Sequence, residues 1–397
     1  MGNMENMGNM ENMGDMENMG NMEIGNMEKM KQAISDMRSR EYVIDKDGIS
    51  ALIRPIPETY ERGIIDPRFL KALSPFLKGP LGYVLRPYAK SITSRKNELG
   101  KSAEKYRRMS GKIKLPKYEN IERVDLSVQN GSCAVPIRIY TPKKGKKSGC
   151  PVLYFIHGGG FIGGSMDTAE ELCVNLADIS GYVVVQPEYR LAPENPFPAG
   201  LEDCYAVLKW IASGIGEFDG DASKICICGD SAGGNLATVC AMRAKNEGLS
   251  IVKAEALLFP VTDLAHAAEY AEKSKEKYEV SPKQKKVFWK MIDVFGSILK
   301  GYTMGEYLGV ADESIPELSP VFGNLEGMPP TIILLGEFDF FLIDNIRYAS
   351  NLKNAGAEVK FVCYMGLSHG FTANFAVSPQ ANDALLEIAE FAEEHLG

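Results

Sequence analysis

The chain has 397 residues, of which 45% are hydrophobic and 24% charged, as is typical of a globular protein. A formal net charge of −8 argues against broad electrostatic attraction to nucleic acid or to anionic lipid. No apolar run approaches the roughly 20 residues that a membrane span needs, and the first residues do not resemble a secretion signal. The eight cysteines contain no CxxC pair, and unpaired thiols on this scale are typical of the reducing cytoplasm. We therefore expect a cytoplasmic protein.

Residues 1–30 repeat the unit GNMENM with small changes. The methionines recur at every third position, which matches neither the period of a helix nor a heptad. Low-complexity sequence of this kind predicts disorder. Two alternatives stay open: a methionine-rich contact with a partner or a membrane, and a repeat expansion without a selected role.

Residues 31–118 are rich in Arg and Lys, and short apolar stretches alternate with polar ones. Because proline cannot continue a helix past its first turn, the prolines of this segment divide it into short helices. Such a segment cannot easily bury a core of its own, so we expect a helical cap that packs over the rest of the chain. The prolines are Pro55, Pro57, Pro67, Pro75, Pro80 and Pro87.

From residue 119 onward, strand-like runs alternate with helix-like stretches, which predicts a doubly wound α/β sheet. The later runs are short and almost continuously apolar, as parallel strands covered on both faces should be. The strand-like runs are 119–127, 135–141, 151–156, 182–187, 224–229, 253–259, 331–336 and 358–364. The helix-like stretches are about 168–180, 198–213, 232–246, 343–355 and 380–396.

An insertion at about 264–318 interrupts this alternation. Large apolar residues recur within it at four-residue spacing from Val287 to Leu299, which predicts a helix with a broad apolar face. Because the insertion leaves the carboxyl edge of a strand, where α/β enzymes bind their ligands, it is a candidate lid or cap. Four of its aromatic residues could shape a pocket, although ordinary packing explains each one better. They are Phe288, Trp289, Tyr302 and Tyr307.

The motif Gly229-Asp-Ser231-Ala-Gly233-Gly stands between a strand-like run and a helix-like stretch. In a G-x-S-x-G elbow the serine occupies a strained turn, and the glycines let the strand and the helix approach closely. The turn lifts the hydroxyl clear of the sheet and points a helix N-terminus at developing negative charge. The bare motif is common by chance and can be a mere tight turn. Its place at this junction predicts that Ser231 is a nucleophile.

A serine hydroxyl needs a base to take its proton, and the chain has four histidines. Where a G-x-S-x-G elbow carries a catalytic triad, the chain order is serine, then acid, then histidine. The base must therefore follow Ser231 in the sequence, which leaves His369 and His395 as the candidates. His369 lies in a loop just past the last strand, whereas His395 lies near the end of a Glu-rich helix, where it offsets the helix dipole. We predict that His369 is the base, and a structural loop histidine is the alternative.

The acid of such a triad should follow a strand between the nucleophile and the base. Asp339 closely follows the run 331–336. Its task is to accept a hydrogen bond from Nδ1 of the histidine, which fixes the tautomer and stabilises the imidazolium. Glu337 and Asp344 are rivals, and Asp344 could instead cap the following helix.

The motif His157-Gly158-Gly159-Gly160 ends the third strand-like run. Successive glycines let backbone N–H groups turn toward a substrate oxygen, and the pattern matches the HGGG oxyanion loop of lipases and esterases. We predict that Gly158 and Gly159, with the N–H of Ala232, bind the oxyanion. A phosphate-binding loop is the rival, but no Lys-Ser or Lys-Thr pair follows. His157 itself fits a structural role.

Together these motifs resemble the hormone-sensitive-lipase-like family of carboxylesterases. The resemblance covers about residues 119–396 and includes His369-Gly-Phe371 and the stretches 187–194 (PEYRLAPE) and 196–199 (PFPA). It implies an α/β-hydrolase fold with an eight-stranded, mostly parallel sheet, helices on both faces and a helical cap. Residues 119–397 are then the catalytic domain.

The resemblance also implies roles for residues outside the triad. Arg190, Glu194 and Asp203 are expected to form structural bonds beneath the site. Phe340-Phe341 stands where family members usually have Pro-Leu. A homodimer stays open, because edge-strand dimers are common in the family.

The predicted function is that of a serine carboxylesterase, which hydrolyses short-to-medium acyl esters through an acyl-enzyme intermediate without a metal ion or cofactor. An amidase or peptidase on the same machinery is the first alternative, because the sequence does not report how well a leaving group is protonated. A non-catalytic ligand-binding module is the second, although the complete set of Ser, Asp, His and HGGG argues against it. The expected partner is a small-molecule ester. Acetylated sugars, aromatic esters and short glycerides all stay open.

Overall fold

The computed structural model describes residues 24–59, 61–71, 118–143, 149–289, 309–310, 312–375 and 378–397, together with Glu104 and Arg107. Among them, no helix combines the length and the apolar character that crossing a membrane requires. Several predictions lie outside these residues. They are the disorder of residues 1–23, most of the cap between residues 72 and 117, the helix face from Met291 to Leu299, and the aromatic residues Tyr302 and Tyr307.

Ten strands form one sheet, in the order β1-β2-β10-β9-β8-β7-β5-β6-β4-β3. They are β1 (Tyr42–Lys46), β2 (Ile49–Arg54), β3 (Ile121–Asn130), β4 (Cys133–Pro142), β5 (Cys150–Ile156), β6 (Val183–Pro187), β7 (Gly220–Asp230), β8 (Val252–Leu258), β9 (Thr331–Gly336) and β10 (Val359–Tyr364). Neighbours from β2 across to β6 pair in parallel, whereas β1, β4 and β3 pair antiparallel with their neighbours. The mostly parallel sheet predicted from the apolar runs is thus confirmed, and β3 to β10 are the eight predicted strands.

Helices cover both faces of this sheet, and five of them follow the predicted stretches closely. The α-helices include α1 (Ile24–Ser39), α2 (Met166–Ser180), α3 (Ala199–Gly214), α4 (Ala232–Asn246), α5 (Ala267–Lys277), α6 (Leu342–Asn354) and α7 (Pro379–Leu396). Local sequence fixes their ends: Ser165 and Thr168 form a capping box at the start of α2, and Gly181 ends it in the left-handed conformation. Helix α7 packs against α1 and α2, and α3 packs against α4.

Strands β1 and β2 form a hairpin that the sequence-based prediction assigned to the helical cap of residues 31–118. The turn between them is Asp47-Gly48, with φ angles of 53° and 86°, as a two-residue hairpin turn with two positive φ angles requires. Strand β2 pairs in parallel with β10 and buries one face against the core. Residues 42–54 therefore extend the sheet to ten strands instead of eight, and this part of the expected cap is wrong.

Helix α1 covers part of the segment 1–30 that was predicted to be disordered. Met30 and Ile34 stand one helical turn apart and pack against Leu386 of α7. This small apolar stripe, which the methionine repeat obscures in the sequence, gives the helix a face that α7 can cover. The expectation of disorder is therefore wrong for residues 24–30.

A glutamate lies inside the core on a central strand. Glu255 of β8 is fully buried, and its Oε2 accepts the hydroxyl of Thr331 at 3.0 Å. Its Oε1 has no hydrogen-bond partner among the described residues. Burial raises the pKa of Glu255 to about 7, opposed by the hydroxyls of Thr238 and Thr331. This carboxyl therefore changes its charge near neutral pH.

The variant Glu255→Gln is expected to be stabilised relative to the wild type, and more strongly at pH 8 than at pH 5. The folded-state pKa of about 7 lies above the usual value. The contribution of the Glu255 carboxyl to the free energy of unfolding is therefore fully present below its usual pKa. That contribution is lost as the pH rises through the folded-state pKa of about 7. Glutamine avoids that loss, so the difference in free energy of unfolding should grow by about 2–3 kcal/mol between the two conditions.

Urea unfolding of both proteins at both pH values measures this difference. The exposed Glu326 provides a matched control. Its glutamine variant should differ from the wild type by the same amount at pH 5 and pH 8. A pH-independent difference for Glu255→Gln would contradict the raised pKa.

Candidate active site

The turn between β7 and α4 carries Ser231. This residue has φ 53° and ψ −117°, a conformation that is strained for any residue with a side chain. The strand and the helix are so close that a Cβ on Gly229 would lie 2.4 Å from the carbonyl oxygen of Gly233. A Cβ on Gly233 would lie 2.0 Å from the carbonyl oxygen of Ile156. Only glycine fits at both positions, which is why the elbow needs this motif.

His369 follows β10 and lies against Ser231. Its Nε2 is 2.9 Å from Oγ of Ser231, a hydrogen-bond distance. Three phenylalanine rings surround the imidazole, with centroid distances of 4.9 Å for Phe259, 4.5 Å for Phe340 and 5.1 Å for Phe341. Two of these rings belong to the pair that departs from the family pattern. They pack on the ring and limit its orientation.

Asp339 follows β9 and is fully buried. Its Oδ2 and Oδ1 lie 3.0 and 3.2 Å from Nδ1 of His369. Oδ1 also accepts the N–H of Phe341 at 2.9 Å, which fixes the orientation of the carboxylate. Ser231, His369 and Asp339 therefore form one hydrogen-bonded chain at the carboxyl edge of the sheet, with the geometry of a catalytic triad.

The two rival acids hold backbone groups instead of the imidazole. Oε2 of Glu337 accepts the N–H of Gly366 at 2.9 Å, and Oδ2 of Asp344 accepts the N–H of Thr262 at 3.0 Å. Burial raises the pKa of Glu337 to about 7 and that of Asp344 to about 8. A carboxyl that is neutral for much of the physiological range stabilises an imidazolium poorly. The position of Asp339 therefore favours it as the acid, and the raised pKa values of Glu337 and Asp344 argue against the two rivals.

His157 is buried at the start of the glycine loop and contacts both the loop and Tyr189. Burial lowers the pKa of His157 to about 4, so the ring is neutral at physiological pH. Its Nδ1 lies 2.9 Å from the carbonyl oxygen of Gly158, and the ring stacks on Tyr189 at 4.4 Å. The hydroxyl of Tyr189 donates to the carbonyl of His157 at 2.9 Å. These contacts agree with a structural role.

His395, the other candidate base, lies at the end of α7. Its Nε2 is 3.7 Å from Oε1 of Glu358, just before β10 begins, whereas His369 follows the end of that strand. His395 therefore lies near the amino-terminal edge of the sheet, opposite the carboxyl edge where Ser231 lies. His395, Glu358 and Glu394 are spaced closely enough to hold a metal ion, but this exposed group is remote from Ser231.

The glycine loop corrects one predicted oxyanion donor. The N–H of Gly158 donates to Oδ1 of Asp230 at 2.7 Å, so it is not available to a substrate. Among the described residues, no acceptor binds the N–H groups of Gly159, Gly160 or Ala232. Ala232 is the first residue of α4, where backbone N–H groups have no partner within the helix. These three N–H groups are the available donors.

Asp230 was not predicted as a site residue. Burial raises its pKa to about 6, opposed by the N–H of Gly158 and the charge of His369. A Cβ on Gly158 would lie 2.4 Å from Oδ2 of Asp230, so the loop and the carboxylate are in tight contact. The side chain next to the nucleophile therefore fixes the glycine loop. Its place inside the elbow motif was the available signal.

The insertion at about 264–318 contributes residues that contact Asp339 and pack behind it. The hydroxyl of Tyr278 donates to the backbone carbonyl of Asp339 at 2.6 Å. Phe288 is fully buried and packs edge-to-face on Tyr278 and on Phe338, with centroid distances of 5.4 and 4.9 Å. Phe288, a candidate pocket residue, is thus part of the packing behind the acid. Trp289 in turn packs on Phe288 at 5.1 Å.

Arg190 and Asp203, two of the three residues for which the resemblance implied structural bonds, are bonded to each other. Arg190 donates through Nε and Nη2 to Asp203, at 2.7 and 2.8 Å. Asn130 donates to the same carboxylate at 2.8 Å. Glu194 instead binds Arg107, a residue of the segment before the catalytic domain.

Comparisons with known proteins identify the family of the chain. A family described as alpha/beta hydrolase fold matches residues 153–373. Ethyl acetate hydrolase of Pseudomonas putida is 28% identical over 281 residues, which are 70% of this chain and 83% of that protein. Esterase LipI of Mycobacterium tuberculosis is 31% identical over 277 residues, which are 68% of this chain and 81% of that protein.

A solved structure extends the likeness to three dimensions. The carboxylesterase EstE1 from a metagenomic library has 30% identity and a TM-score of 0.62, covering 77% of this chain and 99% of that one. The matched region spans more than half of the chain and contains the whole triad. The chain therefore belongs to the alpha/beta-hydrolase-fold family and, within it, is a hormone-sensitive-lipase-like carboxylic ester hydrolase.

Proposed function

We propose that the chain is a serine carboxylesterase that acts through an acyl-enzyme intermediate. The observation that carries this proposal is the hydrogen-bonded chain from Oγ of Ser231 through His369 to Asp339, with both links between 2.9 and 3.2 Å. A hydroxyl bonded to an imidazole that a buried carboxylate orients is an activated nucleophile.

The acylation step transfers one proton and exchanges one bond. Nε2 of His369 takes the proton of Ser231 while Oγ attacks the carbonyl carbon, and the carbonyl π pair moves to its oxygen. When this pair returns, the bond to the alcohol oxygen breaks and the imidazolium gives its proton to that oxygen. The alcohol leaves, and the acyl group stays on Ser231.

Deacylation repeats the step with water as the nucleophile. His369 takes a proton from water, the hydroxide oxygen attacks the acyl carbon, and the bond to Oγ breaks. The imidazolium returns the proton to Ser231, and the carboxylic acid leaves. Asp339 stays ionised throughout and stabilises the imidazolium.

The negative oxygen of both tetrahedral intermediates is bound by backbone N–H groups. We assign this role to Gly159, Gly160 and Ala232, in place of the predicted pair Gly158 and Gly159. Their N–H groups are free of acceptors among the described residues, and the positive end of α4 adds to the field. Such donors lower the barrier because their bonds strengthen as the charge develops.

The proposed substrates are esters of short-to-medium acyl chains. The named activity of the Pseudomonas putida relative, hydrolysis of ethyl acetate, supports the short end of this range. A series of p-nitrophenyl esters from acetate through butyrate and octanoate to laurate measures the preference. Highest kcat/KM on laurate would contradict it. Matched anilides separate an esterase from an amidase, which would hydrolyse both classes at comparable rates.

A fluorophosphonate probe tests the nucleophile directly. We expect one label per chain, on the peptide that contains Ser231, and loss of p-nitrophenyl butyrate hydrolysis in proportion to labelling. Full activity in fully labelled protein, or inactivation by a label elsewhere, would refute the assignment.

The homodimer stays a prediction. Light scattering tests it by comparing the mass of the particle in solution with the chain mass of 43.6 kDa.

A further inference from the structure

The guanidinium of Arg107 joins two loops that lie far from it in sequence. Its Nε donates to the carbonyl of Ile162 at 2.7 Å, and its Nη2 donates to the carbonyl of Ala192 at 2.8 Å. Nη1 and Nη2 also bind the two oxygens of Glu194 at 3.1 and 2.8 Å. All three nitrogens are thus used in a planar fork, a geometry that arginine supplies and lysine does not.

Ile162 belongs to the oxyanion loop, which we define as residues 157–164. Its N–H and that of Gly163 both donate to the carbonyl of Gly159, at 3.3 and 3.0 Å. Gly159 and Gly160 carry two of the proposed oxyanion donors. Arg107 therefore binds Ile162, which is itself hydrogen-bonded to Gly159.

The second loop, around residue 192, is hydrogen-bonded to the oxyanion loop. The N–H of Ala192 donates to the carbonyl of Phe161 at 2.9 Å, so the chain around 192 already contacts the oxyanion loop. Arg107 adds a bond to each side of this contact. Its charge is balanced by Glu194, whose pKa is lowered chiefly by the hydrogen bond from Arg107. The guanidinium therefore acts as a cross-link between the two loops.

We propose that Arg107 is a positioning residue of ester hydrolysis, which fixes the oxyanion loop through the carbonyls of Ile162 and Ala192. This inference rests on the proposed oxyanion role of Gly159 and Gly160. Arg107 itself touches no reacting atom. Its effect should appear in the transition state, where the oxyanion forms, and not in ground-state binding.

The variants Arg107→Ala and Arg107→Met test this role on the full-length protein. We expect kcat for p-nitrophenyl butyrate to fall by about 10- to 50-fold, below the 10²–10³ that loss of one oxyanion donor costs, with KM changed by less than about threefold. The Ki of a trifluoromethyl ketone, which forms an anionic tetrahedral adduct on the serine, should rise by the same factor as kcat/KM falls. Added ethylguanidinium should restore part of kcat in Arg107→Ala.

The control is Arg243→Met, which removes an arginine of similar exposure that is paired with Glu202 and Glu247. It should keep the wild-type kcat. Rates are normalised to the fraction of chains that a fluorophosphonate labels, so that unfolded protein does not count. Wild-type kcat in Arg107→Met, or a loss that is confined to KM or to thermal stability without guanidinium rescue, overturns the inference. Absence of labelling in the wild type would instead overturn the proposed function.

Discussion

Replacing Ser231 with alanine is expected to lower kcat for p-nitrophenyl butyrate by about 10⁴- to 10⁶-fold, because no other group can form the acyl-enzyme. The oxyanion donors and bound water remain, so a small residual rate above the uncatalysed reaction is expected. KM should change little, since the hydroxyl contributes mainly to the transition state. Stopped-assay product quantification over several hours measures the residual rate.

The variant should fold like the wild type. Alanine meets the same strain at φ 53° as serine does, and no side-chain cap of α4 is lost, because the hydroxyl caps no backbone group. Ser213→Ala, on the exposed surface of α3, is the matched control and should keep its activity. A kcat for Ser231→Ala within about tenfold of the wild type would rule out Ser231 as the nucleophile.

The meeting of the three candidate catalytic residues could be predicted because each belongs to a local pattern. Ser231 stands in a motif that only one turn type satisfies, and Asp339 and His369 each follow a short apolar run. Parallel strands bring their carboxyl ends to one edge, so residues just past β7, β9 and β10 must meet there. Local patterning and the order of the triad therefore predict which residues come together.

The rest depends on contacts between distant residues. Whether Gly158 offers its N–H to a substrate is decided by the carboxylate of Asp230, 72 residues later. No pattern in a basic segment distinguishes Arg107 from its neighbours, although its guanidinium reaches Ile162. The hairpin of β1 and β2 is a different case. Its Asp-Gly turn between two strand-forming runs was a readable signal that the expectation of a helical cap outweighed.

The order of the triad can be tested at the acid. Asp339→Asn is expected to lower kcat by about 10³- to 10⁴-fold, because the amide imposes the wrong tautomer on the imidazole. The N–H of Phe341 donates to Oδ1 at 2.9 Å, so the amide oxygen of asparagine will occupy that position. The amide nitrogen then takes the place of Oδ2, 3.0 Å from Nδ1 of His369. There it donates, and the ring must carry its proton on Nε2.

An imidazole protonated on Nε2 cannot accept the proton of Ser231, so the nucleophile stays inactive. The rivals provide the controls: Asp344→Asn and Glu337→Gln keep a group that can accept the N–H of Thr262 or Gly366. They should lower kcat by less than about tenfold, in line with a structural role. If Asp344→Asn were as damaging as Asp339→Asn while its unfolding free energy stayed at the wild-type value, the acid would have to be reassigned to Asp344. The distances between His369 and Asp339 argue for the opposite result, because both carboxylate oxygens lie within hydrogen-bond reach of Nδ1.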